Sequence, residues 1–186
     1  MPAPLIVLVG PPGSGKSTVA TQLAARWRVT ARDTDADVEV VAGKSIGEIF
    51  VEDGEAHFRA LERTAVVNAL GEHDGVLALG GGAVLDPVTQ EALAAYSAAG
   101  GVVVFLDVSL AHAAPRVGFN TARPLLLGNP RAQWQALMEA RRPVYERLAT
   151  LRVSTDARGP AQVAEEIDRV VRQAPGTPSQ DEGSGS

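Results

Sequence analysis

The chain has 186 residues, 45% hydrophobic and 21% charged, and a net charge of −5. These values are ordinary for a globular protein and leave room for one well-covered core. The acidic balance argues against nucleic acid or another polyanion as partner, and no apolar run approaches the roughly 18 residues of a membrane helix.

The first apolar run, Leu5 to Val9, follows no basic leader and stops at Gly10. It reads as a strand buried on both faces, not as a signal peptide or anchor. The absence of cysteine suits a reducing, cytoplasmic setting. From Lys16, the spacing of Val19, Leu23 and Trp27 predicts a helix with one apolar stripe. A short second strand is expected before Asp33, and Phe58, Leu61, Ala65, Val66 and Ala69 place a helix over residues 55–70. Strands are expected at 76–79, 102–106 and 151–154, and helices at 87–95, at 131–149 and after Arg158. Pro143 should kink or interrupt the helix over 131–149. Alternation of strand and helix predicts an α/β fold: a parallel sheet with helices on both faces, binding its ligands at the carboxyl ends of the strands. Residues 1–173 are expected to form one domain, and residues 174–186, rich in Gly, Pro and Ser, a disordered tail.

Gly10-Pro-Pro-Gly-Ser-Gly-Lys16-Ser17 is a complete G-x-x-x-x-G-K-[ST] sequence between a strand and a helix. Its glycines let successive N–H groups face a phosphate at a helix N-terminus. Gly13, Ser14, Gly15, Lys16, Ser17 and Thr18 are therefore candidate ATP-binding residues, with Lys16 on the β and γ oxygens and Ser17 on Mg2+. No Asn-Lys-x-Asp sequence for reading guanine is present. Two acidic positions compete for the metal: Asp107, ending an apolar run, and Asp33-Thr34-Asp35. In an extended chain Asp33 and Asp35 would share a face, Asp33 toward the metal and Asp35 toward an acceptor hydroxyl; an Asx turn capping the next helix is the alternative. Gly80-Gly81-Gly82 after the third long strand would let a ligand approach the backbone. Of 17 basic residues only Lys16 and Lys44 are lysines. Arg59, Arg116, Arg123, Arg141 and Arg158 recur at loop or helix edges, where forked donors suit planar anions. His57, His73 and His112 suggest no metal site.

These motifs, with Ile46 to Phe50, Asp53-Gly-Glu55, Phe58-Arg59, Glu62, Gly80-Gly-Gly-Ala-Val and Asn120-Thr-Ala-Arg123-Pro-Leu-Leu, resemble shikimate kinases, within the nucleoside-monophosphate-kinase-like branch of P-loop proteins. The resemblance implies a three-layer α/β/α fold with a five-stranded parallel sheet, and transfer of the γ-phosphoryl of ATP to the 3-hydroxyl of shikimate. It implies a substrate-binding insertion over about 34–62 and a lid over about 118–129. Lys16, Asp35 and Arg123 would form the catalytic group. Asp35, Arg59, Gly80, Gly81, Gly82 and Arg141 would bind shikimate; Arg116, Arg123 and Arg158 would contact ATP; Ser17 and Asp33 would hold Mg2+. Its partners would be small molecules only, and a monomer is expected. Ala78 departs from the family, which commonly carries Ser or Thr there. A kinase of another hydroxy acid such as gluconate, and a nucleotide-binding switch without an acceptor, remain as alternatives.

Overall fold

The computed structural model describes residues 3–117 and 129–173. Segments 118–128, with Arg123 and most of the expected lid, and 174–186, the expected tail, lie outside the described residues.

Ile6–Val9 forms β1, four apolar residues that are all buried, so the strand needs cover on both faces. The others are β2 (Ala31–Asp33), β3 (Val76–Ala78), β4 (Val103–Asp107) and β5 (Leu151–Ser154). All pair in parallel, in the order β2-β3-β1-β4-β5. The order switches direction beside β1, which places the crevice above its carboxyl end.

Alternation along β1 divides the core in two. Ile6 and Leu8 meet Val19 and Leu23 of α1 (Lys16–Trp27) and Val163 and Ile167 of α8 (Pro160–Gln173). Val7 and Val9 face the opposite layer, where α4 (Glu55–Glu72), α5 (Pro87–Ala98) and α7 (Pro130–Leu148) contribute Val66, Leu93, Met138 and Tyr145. The result is the expected three-layer α/β/α architecture. A smaller core of Val38, Ile49, Phe58 and Ala65 packs α2 (Thr34–Ala42) and α3 (Ile46–Glu52) onto α4. Ser45 and Glu48 form a reciprocal cap that starts α3. Helix α6 (Leu110–Val117) follows β4. Among the described residues no helix is long and apolar enough to cross a membrane.

The expectation of an interruption at Pro143 is corrected, because α7 continues to Leu148. A proline inside a helix costs about 3 kcal/mol. Beyond it, Tyr145 and Leu148 are buried, and large apolar side chains return on the order of 1.5–3 kcal/mol each, so packing outweighs the lost hydrogen bond.

Candidate active site

β1 delivers the chain to Gly10 and α1 begins at Lys16, so the loop between them must reverse direction within a few residues. Gly15 precedes α1 with φ of 85°, in the left-handed region, and offers no side-chain cap. A Cβ there would meet nothing within 4 Å; conformation, not space, demands glycine. The first N–H groups of α1 are thus left without a capping side chain, as an anion site requires. Lys16 Nζ donates to the carbonyls of Gly10 at 2.8 Å and Pro11 at 3.1 Å. Burial lowers its pKa to about 8, against the opposing pull of Asp35 and Asp33.

A cavity of about 370 Å³ opens over this loop. Gly13, Ser14, Gly15, Lys16, Ser17 and Thr18 line its base, Asp33 and Asp35 one side, and Arg116, Arg158 and Pro160 another. Arg116 donates to the Gly13 carbonyl at 3.3 Å and to the Thr155 carbonyl at 3.2 Å. Arg158 pairs with Glu166.

Asp33 closes β2, and its two oxygens have separate partners: Oδ1 accepts the N–H of Asp35 at 2.9 Å, and Oδ2 accepts the Ser17 hydroxyl. Because α2 begins at Thr34, Asp35 lies in a helical first turn. The extended-chain argument for a shared face is therefore corrected; the cap made by Asp33 is what draws the pair together. Thr34 is fully buried and its Oγ1 accepts the N–H of Gly80 at 3.1 Å. Burial raises the Asp35 pKa to about 6, helped by Asp33 and opposed by Lys16.

The triple glycine admits the protein's own side chains. A Cβ on Gly80 would collide with Asp35 Oδ1 and lie 2.7 Å from Glu62 Oε1, and one on Gly82 would collide with the Arg59 guanidinium. At Gly81 the neighbours would be Pro12 Cδ at 3.1 Å and Arg141 Nη1 at 3.5 Å. Arg59 is held by Glu62 at 2.6 Å and lies over the Phe58 ring, 5.2 Å from its centroid. Two guanidinium groups, a carboxylate of raised pKa and a partly buried lysine thus converge beside the phosphate loop. That constellation can bind a carboxylate and present a hydroxyl to a phosphoryl group.

The family model described as shikimate kinase matches residues 12–172. The chain belongs to the shikimate kinase family. Shikimate kinase of Thermobifida fusca is 55% identical over 164 residues, covering 88% of this chain and 92% of that relative. Shikimate kinase of Streptomyces coelicolor is 55% identical over 165 residues, 89% of this chain and 94% of the relative. Among solved structures, shikimate kinase from Acinetobacter baumannii in complex with shikimate superposes with a TM-score of 0.84 at 30% identity, covering 92% and 94% of the two chains. A gluconokinase from Sinorhizobium meliloti, at 21% identity and a TM-score of 0.55, shares the fold.

In this member of the shikimate kinase family, Asp107 stands apart from the phosphate loop and has a different occupation. Arg142 grips it with two bonds of 3.0 and 2.9 Å, and Arg152 adds two more of 3.0 and 2.5 Å, so the alternative of a metal-binding role on β4 is set aside. Arg123 is the one candidate residue outside the described segments. Sequence reasoning gave no role to Glu62, Thr34 or Tyr145. Glu62 lies three residues after Arg59 on α4, the spacing of a helical ion pair, and that signal was available.

Proposed function

We propose that this shikimate kinase family member carries the γ-phosphoryl group of ATP to the 3-hydroxyl of shikimate where the phosphate loop meets the Asp35, Arg59 and Arg141 cluster. The observation that carries the reading is that convergence: the triple glycine brings two carboxylate-seeking guanidiniums and Asp35 to the edge of the Lys16 cradle.

The triphosphate lies along the loop amides at the N-terminus of α1, and Lys16 exchanges its carbonyl partners for the β and γ oxygens. Arg116, Arg158 and Pro160 bound the nucleoside end of the cavity. The Ser17 hydroxyl and the Asp33 carboxylate, two hard oxygen donors already in contact, fit Mg2+, which would supply charge neutralisation on the phosphates. Arg59 and Arg141 take the shikimate carboxylate as forked donors. Gly80 and Gly82 keep their backbone close to it, and Asp35 orients the attacking hydroxyl and accepts its proton. Arg123 adds positive charge to the transferring group. A loose transition state asks the protein for position and charge more than for covalent work.

ADP release from MgATP, measured with no acceptor, with shikimate and with gluconate, tests the proposal. Stimulation by shikimate alone is expected. Stimulation by gluconate instead would reassign Arg59 and Arg141, and an acceptor-independent rate would leave a nucleotide-binding switch.

A further inference from the structure

Phosphoryl transfer makes no demand on Tyr145, yet it is the largest fully buried side chain among the described residues. A phenol in that position is costly unless its hydroxyl is bonded. The ring stacks on Phe105 with centroids 5.0 Å apart, and the hydroxyl emerges at the substrate end of the sheet, 2.5 Å from the carbonyl oxygen of Gly81. Arg141, one turn earlier on α7, lies beside the same backbone, its Nη1 3.5 Å from where a Cβ on Gly81 would stand. The direction of the observed bond follows from chemistry. A carbonyl only accepts, so the phenol gives its proton to Gly81, which leaves the lone pairs of its oxygen to accept from the neighbouring Arg141 guanidinium.

We propose that Tyr145 is a positioning residue for acceptor binding, its hydroxyl fixing the Arg141 guanidinium relative to the Gly81 backbone before the carboxylate arrives. The inference rests on the reading of Arg141 and Gly81 as part of the shikimate site. Three features support it. Phe105 fixes the ring, so the hydroxyl cannot follow Arg141 if that side chain swings away. No other hydroxyl is bonded to Gly81 O among the described residues. Burial pushes the phenol up to about 12, so it stays a donor across the working range of pH. Arg141 is thereby pre-organised, which reduces the ordering cost that the substrate would otherwise meet.

Tyr145→Phe in the full chain removes only the hydroxyl. The expected result is a shikimate KM raised roughly tenfold, the loss of a hydrogen bond to a charged group, with the KM for ATP unchanged within about twofold. A core tyrosine that merely satisfies a carbonyl would lower the melting temperature and leave this split absent. The deciding comparison is the same substitution in an Arg141→Ala background: if Tyr145 acts through Arg141, it adds no further rise there. Equal factors in both backgrounds, an unchanged shikimate KM, or equal losses on both substrates would overturn the inference. If Tyr145→Phe does not fold, 3-fluorotyrosine incorporated into a Tyr96→Phe chain perturbs the same hydroxyl at nearly constant shape. Its shikimate KM should then move while its ATP KM stays; movement of neither overturns the proposal. Failure of the unsubstituted chain to respond to shikimate would instead remove the functional reading on which the role of Tyr145 depends.

Discussion

Lys16 and Asp35 have proton affinities drawn toward each other, the lysine down to about 8 and the aspartate up to about 6. Burial leads in both cases, because removal from water penalises either charge, and their mutual attraction offsets only part of it. Below about pH 6 Asp35 is protonated and cannot take a proton from an acceptor hydroxyl; above about pH 8 Lys16 loses its charge. The kcat/KM for shikimate, which reports the free enzyme, should therefore form a bell between these values. Asp35→Asn should abolish the acidic limb and most of the turnover. The same shift affects stability with a definite sign. A folded-state pKa above the unfolded value means that the native state binds the proton more tightly, so the contribution of Asp35 is fully present below about pH 4 and lost as pH rises through about 6. Asp35→Asn should thus be more stable than the parent at pH 8, by on the order of 1–2 kcal/mol after solvent screening, and indistinguishable from it at the lowest pH. Melting curves at both pH values decide this; no gain at pH 8 contradicts the shift.

Asp33-Thr34-Asp35 is the point where a strand becomes a helix, and each residue serves that junction differently. Asp33 caps α2, Asp35 faces Lys16, and Thr34 turns inward to hold the N–H of Gly80. Thr34→Val keeps the shape and leaves that buried N–H unpaired, which costs about 1–3 kcal/mol. A lower melting temperature should accompany a shikimate KM that rises more than the ATP KM, and Thr34→Ser should restore both. Equal KM values in Thr34→Val and parent would separate Gly80 from acceptor binding. This junction also marks the boundary of what the sequence made legible. The limits of β5 and the starts of α1 and α4 were readable, because a buried strand and an amphipathic helix each impose a period on neighbouring residues. Helices α2 and α3 were not resolved individually, since they are short and expose Val40, Val41 and Val51, which blurs the apolar stripe. The motif residues that line the cavity were identifiable from their own spacing. Contacts between distant elements were not: Thr34 and Gly80 are 46 residues apart, and Tyr145 and Gly81 are 64 apart. No periodicity within one element encodes such a pair.

Across the whole molecule, two carboxylates outside the site hold the layers together. Asp168 on α8 accepts from Arg26 at 2.8 Å, from the Trp27 indole at 2.7 Å and from Arg172 at 2.6 Å, joining α8 to α1. On the opposite side Asp107, at the end of β4, joins Arg142 of α7 to Arg152 of β5. Since Arg142 adjoins Arg141 in the chain, the Asp107 cluster also anchors the helix that presents Arg141. For Asp107, burial alone would raise the carboxyl pKa, but the bonds from Arg142 and Arg152 prevail and hold it below its ordinary value. A depressed folded-state pKa contributes stability that is present above the unfolded pKa and lost as pH falls through the folded one. Asp107→Asn should therefore destabilise the chain at neutral pH by about 1–3 kcal/mol, since its partners are partly exposed. The difference from the parent should narrow in acid below about pH 4. Because Asp107 is occupied by arginines and Asp33 adjoins Ser17, the KM for MgATP should stay within about twofold of the parent. Weakened MgATP binding with an unchanged melting temperature would instead return Asp107 to the metal site and require Asp33 to be only the cap of α2.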